Sequence, residues 1–337
     1  MPDGPTTPVA RRAGVLRNKS GRIRSGWRLL LFFVVVLALA GAALMLVPLI
    51  PAPLDPLGVD VVISLVALLG ASWAIMRRVE RLPLTALGLP GGRRAFRATA
   101  SGLLFGVVII ASVVFVFAVL GWVRWTPQPG GGAGEYAAAL IGYGGFFFVA
   151  AFGEELLARG YPLQVLAEGM GGAWAIGLTS IAFGLLHLGN PNVSAIAIGN
   201  IALAGVLLGI AYWRTYSLWF ATGIHTGWNW SMNFLGDLPV SGLVWDTPLY
   251  DAVISGPALW TGGEFGPEAG LGVTVAALAA TLFLVRSPRL RRDPKVTALD
   301  PLPDRRETER GHSGHSRVEE TGTRMSERMG EPTKYGR

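Results

Sequence analysis

Eight apolar segments of roughly 20 residues each recur along this chain, and each is long enough to cross the hydrocarbon core of a bilayer. Within a bilayer only helices and closed barrels satisfy their own backbone hydrogen bonds. The segments lie at 29–50, 57–76, 99–123, 136–158, 173–189, 194–213, 217–235 and 269–285. The pattern therefore predicts an all-α polytopic membrane protein with about eight transmembrane helices.

The composition of the 337 residues agrees with a membrane protein, because 51% are hydrophobic and only 15% are charged. A soluble protein of this length carries about a quarter charged residues. The net charge of +7 comes from arginines that cluster beside the apolar segments, where they set orientation and do not form a nucleic-acid groove. The absence of cysteine excludes disulfides, thiolate metal ligands and a cysteine nucleophile.

The distribution of basic residues predicts how the chain is oriented. The segments on one side of the membrane, counted from the N-terminus, hold nearly all of them: Arg77, Arg78, Arg81, Arg93, Arg94, Arg97, Arg159, Arg214, Arg286, Arg289, Arg291 and Arg292. The opposite segments have Arg124 as their one basic residue, and the last of these segments is acidic: Asp237, Asp246, Asp251, Glu264 and Glu268. By the positive-inside rule the chain is a multi-pass protein of the cell membrane with both termini in the cytoplasm.

Three regions follow from this topology. Residues 1–26 are a basic cytoplasmic N-terminal segment, and residues 27–286 are the eight-span membrane domain. Residues 287–337 are rich in charge, Pro, Gly, Ser and Thr, which predicts a disordered cytoplasmic tail. The polar residues that interrupt the apolar segments fall within a core at 136–235.

Two adjacent carboxylates and an arginine end the fourth apolar segment, at Glu154, Glu155 and Arg159. Charged residues in membrane segments are costly and usually functional. On a helix Glu155 and Arg159 share a face at i, i+4, which suits an ion pair, whereas Glu154 is rotated by about 100°. We predict a supporting Glu155–Arg159 pair and a Glu154 that is free to act on a water; a buried network that only fixes helix packing is the alternative.

His187 lies on the next segment, beyond a glycine-rich turn at 169–172. A lone histidine on an apolar helix is more often a core residue than a functional one, but its position favours function here. If the fourth helix continues through Ala167 and the fifth returns from Trp174, His187 and Glu154 come level. At ~1.5 Å per residue both lie about 24–26 Å from the turn.

His225 and Asn229 occupy the seventh segment at i, i+4, so their imidazole and carboxamide project from one helix face. Small residues flank them: Thr222, Gly223, Thr226 and Gly227. Such residues let another helix or a substrate backbone approach closely. The pair reads as part of a site or, alternatively, as a hydrogen bond between helices.

Glu-Glu-x-x-x-Arg at 154–159, Phe-x-x-x-His at 183–187 and His-x-x-x-Asn at 225–229 closely resemble the CPBP family of intramembrane endopeptidases. That family comprises the type II CAAX prenyl endopeptidases and bacterial relatives linked to bacteriocin processing or immunity. The resemblance covers roughly residues 136–235. It implies a membrane-embedded protease, a hydrolase, that acts on membrane-associated or lipidated (CAAX-like) peptides within the lipid bilayer and not on nucleic acid.

The resemblance also implies roles for individual residues. Glu154 would be the general base that activates water, and His187 would hold the same water. His225 and Asn229 would help to hold it or stabilise the oxyanion. Two residues would support Glu154: Glu155 and Arg159.

Whether a metal takes part stays open at this point, and the cofactor is unknown. The family is often called a metalloprotease, and Glu154, His187 and His225 could hold a catalytic zinc of the His₂Glu type. A metal-free glutamate–water mechanism uses the same residues, and the chain has no His-Glu-x-x-His sequence. A non-catalytic membrane scaffold or bacteriocin-immunity protein with the same fold is the main alternative to an enzyme, followed by a proton-coupled transporter.

Overall fold

The computed structural model describes residues 14–17, 22–49, 55–128, 132–288 and 290. Ten α-helices lie in these ranges: α1 (Ser25–Leu46), α2 (Pro56–Ile75), α3 (Gly92–Val119), α4 (Ala133–Arg159), α5 (Tyr161–Met170), α6 (Gly172–Leu185), α7 (Ala195–Thr215), α8 (Leu218–Phe234), α9 (Ala258–Thr261) and α10 (Leu271–Arg286). Two short strands accompany them: β1 (Val123–Pro127) and β2 (Tyr250–Ile254).

Within the described ranges, five helical segments are long and apolar enough to cross a membrane: Ser25–Leu49, Pro56–Glu80, Leu84–Val119, Ala133–Met170 and Ala195–Thr215. Two further apolar helices, α6 and α10, are shorter, and α8 has 17 residues. Each of the eight apolar segments overlaps one of these helices. The chain is thus an all-α multi-pass membrane protein, as predicted, and the figure of eight crossings stays a prediction.

The fourth helix is interrupted, which corrects the expectation that it continues through Ala167. α4 ends at Arg159, and Gly160 leaves the helical region with φ −72° and ψ −126°. The N–H of Gly160 reaches back five residues to the carbonyl of Glu155 at 3.0 Å. Pro162 then stands in the first turn of α5, where its missing N–H leaves no helical hydrogen bond unmade.

The predicted glycine turn lies between α5 and α6. Gly171 has a φ of +84°, a left-handed conformation that glycine adopts without steric cost. A Cβ at Gly172 would lie 2.1 Å from the ring of Trp213, so α6 begins in close contact with α7. The hairpin expected between the fourth and fifth segments is therefore made by α5 and α6.

Glycines bring the backbones of α3 and α8 into contact. A Cβ added at Gly102 or Gly106 on α3, or at Gly223 or Gly227 on α8, would lie 2.1–2.3 Å from a carbonyl oxygen of the opposite helix. Small residues at a spacing of four permit this approach in membrane helices. The expectation of a close neighbour at Gly223 and Gly227 is confirmed, and that neighbour is α3.

β1 and β2 form an antiparallel ribbon, with Val123 opposite Ile254 and Pro127 opposite Tyr250. The indole N–H of Trp125 donates to the carbonyl of Gly236 at 3.0 Å, which joins the ribbon to the end of α8. This ribbon was not predicted from the sequence, because each strand has only five residues and lies at or beyond the end of an apolar segment.

A cluster of four charges joins the start of α1 to the turn after α2 and to α5. Arg22 and Arg28 each pair with both Glu80 and Glu168, at 2.5–3.0 Å. The hydroxyl of Tyr161 donates to Glu80 at 2.7 Å. Arg28 and Glu80 are both buried, so the N-terminal helix is held by charge as well as by apolar contact.

Arg214, near the C-terminus of α7, holds the end of α10. Its guanidinium donates to the carbonyls of Val285, Ser287 and Leu290 at 2.7–3.1 Å. These carbonyls lack helical partners, and a cation is favourable at a helix C-terminus. Except for 287, 288 and 290, the predicted disordered tail lies outside the described residues, as does much of the basic N-terminal segment.

Candidate active site

Glu155 and Arg159 form an ion pair at the end of α4. Arg159 Nη1 donates to Glu155 Oε1 at 2.8 Å, and both side chains are 0% exposed. Arg159 Nη2 donates to the carbonyl of Gly205 on α7 at 2.9 Å. The pair therefore has the i, i+4 geometry that its spacing indicates, and it also fixes α4 against α7.

His225 on α8 lies between the two adjacent glutamates. Its Nδ1 donates to Glu155 Oε1 at 3.0 Å, and its Nε2 is 3.8 Å from Glu154 Oε2. A carboxylate acceptor at Nδ1 sets the tautomer and the orientation of an imidazole. Nε2 is consequently the nitrogen of His225 that remains available to a water or a substrate.

Glu154 stands in a different environment from Glu155. Its side chain is 39% exposed, yet its Oε2 is buried and makes no hydrogen bond within the described residues. Buried polar atoms nearly always have a partner, so this oxygen marks a place for a water or a substrate group. In the described part of the chain, no hydrogen bond or ion pair links Glu154 to His187.

Phe183 occupies the centre of the group. The guanidinium of Arg159 lies 4.6 Å from the centre of its ring, and the rings of His187 and His225 lie 5.1 and 5.8 Å from it. The carbonyl of Phe183 accepts a hydrogen bond from His187 Nδ1 at 2.9 Å. Phe183 thus holds both imidazoles in place, and His187 also has its Nε2 left available.

His187, His225 and Asn229 line one cavity of about 20 Å³. A cavity needs roughly 10–15 Å³ to hold a water, so one water fits beside these three side chains. The helical spacing of His225 and Asn229 places both on the cavity face of α8. Apolar residues of α7 form the opposite wall: Ile201, Ala204, Leu207 and Leu208.

Two further polar residues, Ser241 and Glu268, line the same cavity and were missed as site residues. Ser241 lies in the loop after α8, and Glu268 lies in a short 3₁₀ turn, Pro267–Ala269, before α10. From the sequence, Glu268 was predicted only to be one of the acidic residues of an outer loop. Neither residue belongs to a helical repeat, so periodicity gave no signal for them.

The three residues considered as zinc ligands do not fit such a site as they are placed. A His₂Glu site requires two imidazoles and a carboxylate around one point at about 2 Å. Within the described ranges, no group of three or more His, Cys, Asp or Glu side chains is arranged to hold a metal. Glu154 and His225 lie 3.8 Å apart, and His187 shares the cavity lining with His225, but no contact in the described ranges links His187 to Glu154.

A family model described as type II CAAX prenyl endopeptidase Rce1-like matches residues 136–231. The matched region runs from α4 to α8 and contains all three motifs. The match supports the assignment to the CPBP family that those motifs suggested, and with it an intramembrane protease of the CAAX type in general. Among curated proteins, none matches the chain.

Proposed function

We propose that this membrane protein is an endopeptidase that hydrolyses peptide bonds of membrane-associated or lipidated, CAAX-like peptides through a water activated by Glu154. One observation carries the proposal: the buried, unpartnered Oε2 of Glu154 faces Nε2 of His225 at 3.8 Å. The resemblance of residues 136–231 to the type II CAAX prenyl endopeptidases supports the same reaction class.

Activation of the water follows from the acceptors around it. In the neutral imidazole of His225, Nδ1 donates to Glu155 and Nε2 is an acceptor, as is the carboxylate of Glu154. A water between them donates one proton to each and directs a lone pair toward the scissile carbonyl. As the water attacks, Glu154 removes its proton and then delivers that proton to the leaving amine when the C–N bond breaks.

The developing oxyanion needs a hydrogen-bond donor that is already in place. Asn229 supplies one, because its side-chain amide lies on the cavity face of α8 beside His225. His187 lines the same cavity, of which His225 but not Glu154 forms part of the wall, and in this proposal its Nε2 helps to orient the water. Arg159 acts indirectly, since it balances the charge of Glu155, which holds His225.

The proposed substrate class follows from where this chemistry lies. The site helices belong to a multi-pass membrane protein, and apolar side chains form the far wall of the cavity. A peptide anchored in the same bilayer reaches such a site without leaving the lipid. No step in this mechanism passes through a metal.

The decisive experiment compares Glu154→Gln with Glu135→Gln in hydrolysis of a membrane-tethered peptide library. Both glutamates lie on α4, but Glu135 is exposed at its N-terminus, where glutamine also serves in a capping box. We expect Glu154→Gln to abolish cleavage, because the amide cannot take up a proton, and Glu135→Gln to retain it. Undiminished hydrolysis by Glu154→Gln would overturn the mechanism.

A non-catalytic scaffold or bacteriocin-immunity protein is the second candidate. The small size of the cavity, about 20 Å³, favours it, because a peptide enters this site only if the surrounding helices move. That candidate predicts that Glu154→Ala leaves the cellular phenotype intact, whereas substitutions that separate α3 from α8 remove it.

A further inference from the structure

Glu268 carries a buried carboxylate that the chemistry above does not use. Its Oε2 accepts hydrogen bonds from the backbone N–H and from the hydroxyl of Ser241, both at 2.7 Å. Its Oε1 accepts from the indole N–H of Trp228 at 3.1 Å. The residue is 5% exposed and lines the cavity that contains both histidines.

These hydrogen bonds connect the two parts of the site that bear the histidines. Trp228 lies on α8 and lines the cavity together with His225 and Asn229. On the other side, the carbonyl of Ser241 accepts from the Nδ2 of Asn190 at 2.8 Å, and the N–H of Asn190 donates to the carbonyl of His187 at 3.1 Å. A continuous path therefore runs from the turn of His187 through Ser241 and Glu268 to α8.

The main chain around Glu268 is anchored independently. Asn200 on α7 donates to the carbonyls of Glu268 and Gly270 at 2.8 and 3.0 Å, and the hydroxyl of Thr274 on α10 donates to Asn200 at 2.7 Å. Ser241 has a φ of +51°, a conformation that non-glycine residues adopt only where their surroundings hold them.

Burying a carboxylate costs free energy even when it accepts three hydrogen bonds, as Glu268 does from Ser241 and Trp228. No cation pairs with Glu268 in the described part of the chain, and well-packed apolar side chains often stabilise such a place at least as well. Ionisable groups buried in membrane proteins usually serve function. Its three charge-assisted hydrogen bonds have directions that apolar packing cannot reproduce.

We propose that Glu268 is a positioning residue of the endopeptidase site, which fixes the separation of His187 from His225 and Asn229 by holding Ser241 and Trp228. The effect of Glu268 on catalysis rests on the proposed function. The hydrogen-bonded path itself stands on the geometry alone, so the two are tested separately.

The kinetic test compares Glu268→Gln with Glu264→Gln, which makes the same change at an exposed position of the same loop. Glutamine keeps one acceptor oxygen for three donors, so at least one donor loses its partner. We expect kcat to fall at least tenfold while KM changes less than twofold, and Glu264→Gln to behave as wild type. Ser241→Ala removes one of the three bonds and should lower kcat less, and adding it to Glu268→Gln should cause little further loss.

A second measurement does not depend on activity. The chain has no cysteine, so spin labels at Leu188→Cys and Val244→Cys, both exposed, report the distance between the two loops. We expect a narrow distance distribution in the parent protein and in Glu264→Gln, and a broader one in Glu268→Gln.

Unchanged kcat in Glu268→Gln, or an unchanged distance distribution, would overturn the inference, as would a fall in kcat that merely follows the folded fraction. If the parent protein hydrolyses no peptide, the proposed function fails, and the distance measurement still decides whether Glu268 holds the loops. If Glu268→Gln does not fold, Trp228→Phe and Ser241→Ala each remove one donor, and wild-type kcat in both refutes the positioning role.

Discussion

Replacing Gly106 with alanine places a methyl group 2.1 Å from the carbonyl oxygen of Ile224, although α3 carries none of the proposed site residues. Real Cβ atoms essentially never come within 3.0 Å of such an atom, so α3 and α8 must separate by about 0.9 Å at this point. His225 follows Ile224 in sequence and moves with α8. A misplacement of about 1 Å costs up to about 100-fold in rate, and overpacking costs about 1–3 kcal/mol of stability.

We therefore expect Gly106→Ala to lower kcat/KM by about 100-fold, measured on a membrane-tethered peptide, with a lower melting temperature in detergent. Gly145→Ala on α4 is the matched control, because a Cβ there meets nothing within 4 Å and alanine favours a helix. Wild-type activity in Gly106→Ala would show that the α3–α8 contact does not position the site. Equal losses in both variants would show that the effect is not specific to this contact.

Three other predictions concern the ion pair, the metal and pH. Arg159→Ala leaves Glu155 buried without its cation, which lowers the free energy of unfolding by about 3–5 kcal/mol. We therefore expect a marked drop in melting temperature and in folded yield. A stable, folded variant would contradict this. Protein treated with a chelator should retain peptidase activity. A metal-free mechanism would be contradicted if the purified protein held stoichiometric zinc, lost activity when the zinc was removed and regained it when the zinc was returned. Burial raises the pKa of Asp237, so the folded state favours the protonated carboxyl. The stability that this protonation contributes is fully present below the pKa of the unfolded state and is lost as pH rises through the pKa of the folded state. Asp237→Asn should therefore raise the melting temperature at pH 7 but not at pH 3, and an equal shift at both would refute the assignment.

The parts of the fold that sequence could predict are those set by local periodicity. Apolar length located the membrane helices, because the bilayer fixes how many residues a span needs. A spacing of four likewise placed Glu155 beside Arg159, and His225 on the same face as Asn229.

The parts that sequence could not predict depend on which elements meet. No local pattern indicates that Glu268 and Ser241, from two loops, close the cavity beside α8. The break at Gly160 was missed although the fourth apolar segment ends at 158 and Gly160 and Pro162 are helix-stop signals, because bringing Glu154 level with His187 required a helix that continues through Ala167. The partner of Gly223 and Gly227 could be inferred as a helix, but only tertiary packing identifies it as α3.

The charge cluster at the start of α1 has a consequence for how the protein is made. Glu80 follows Arg28 by 52 residues, and Glu168 follows it by 140. At about 5–20 residues per second, ribosomes supply the first carboxylate after about 3–10 s and the second after about 7–28 s. Until then Arg28 lacks the two carboxylates that partner it in the folded protein. α1 therefore completes its docking only after α5, which carries Glu168, has been synthesised.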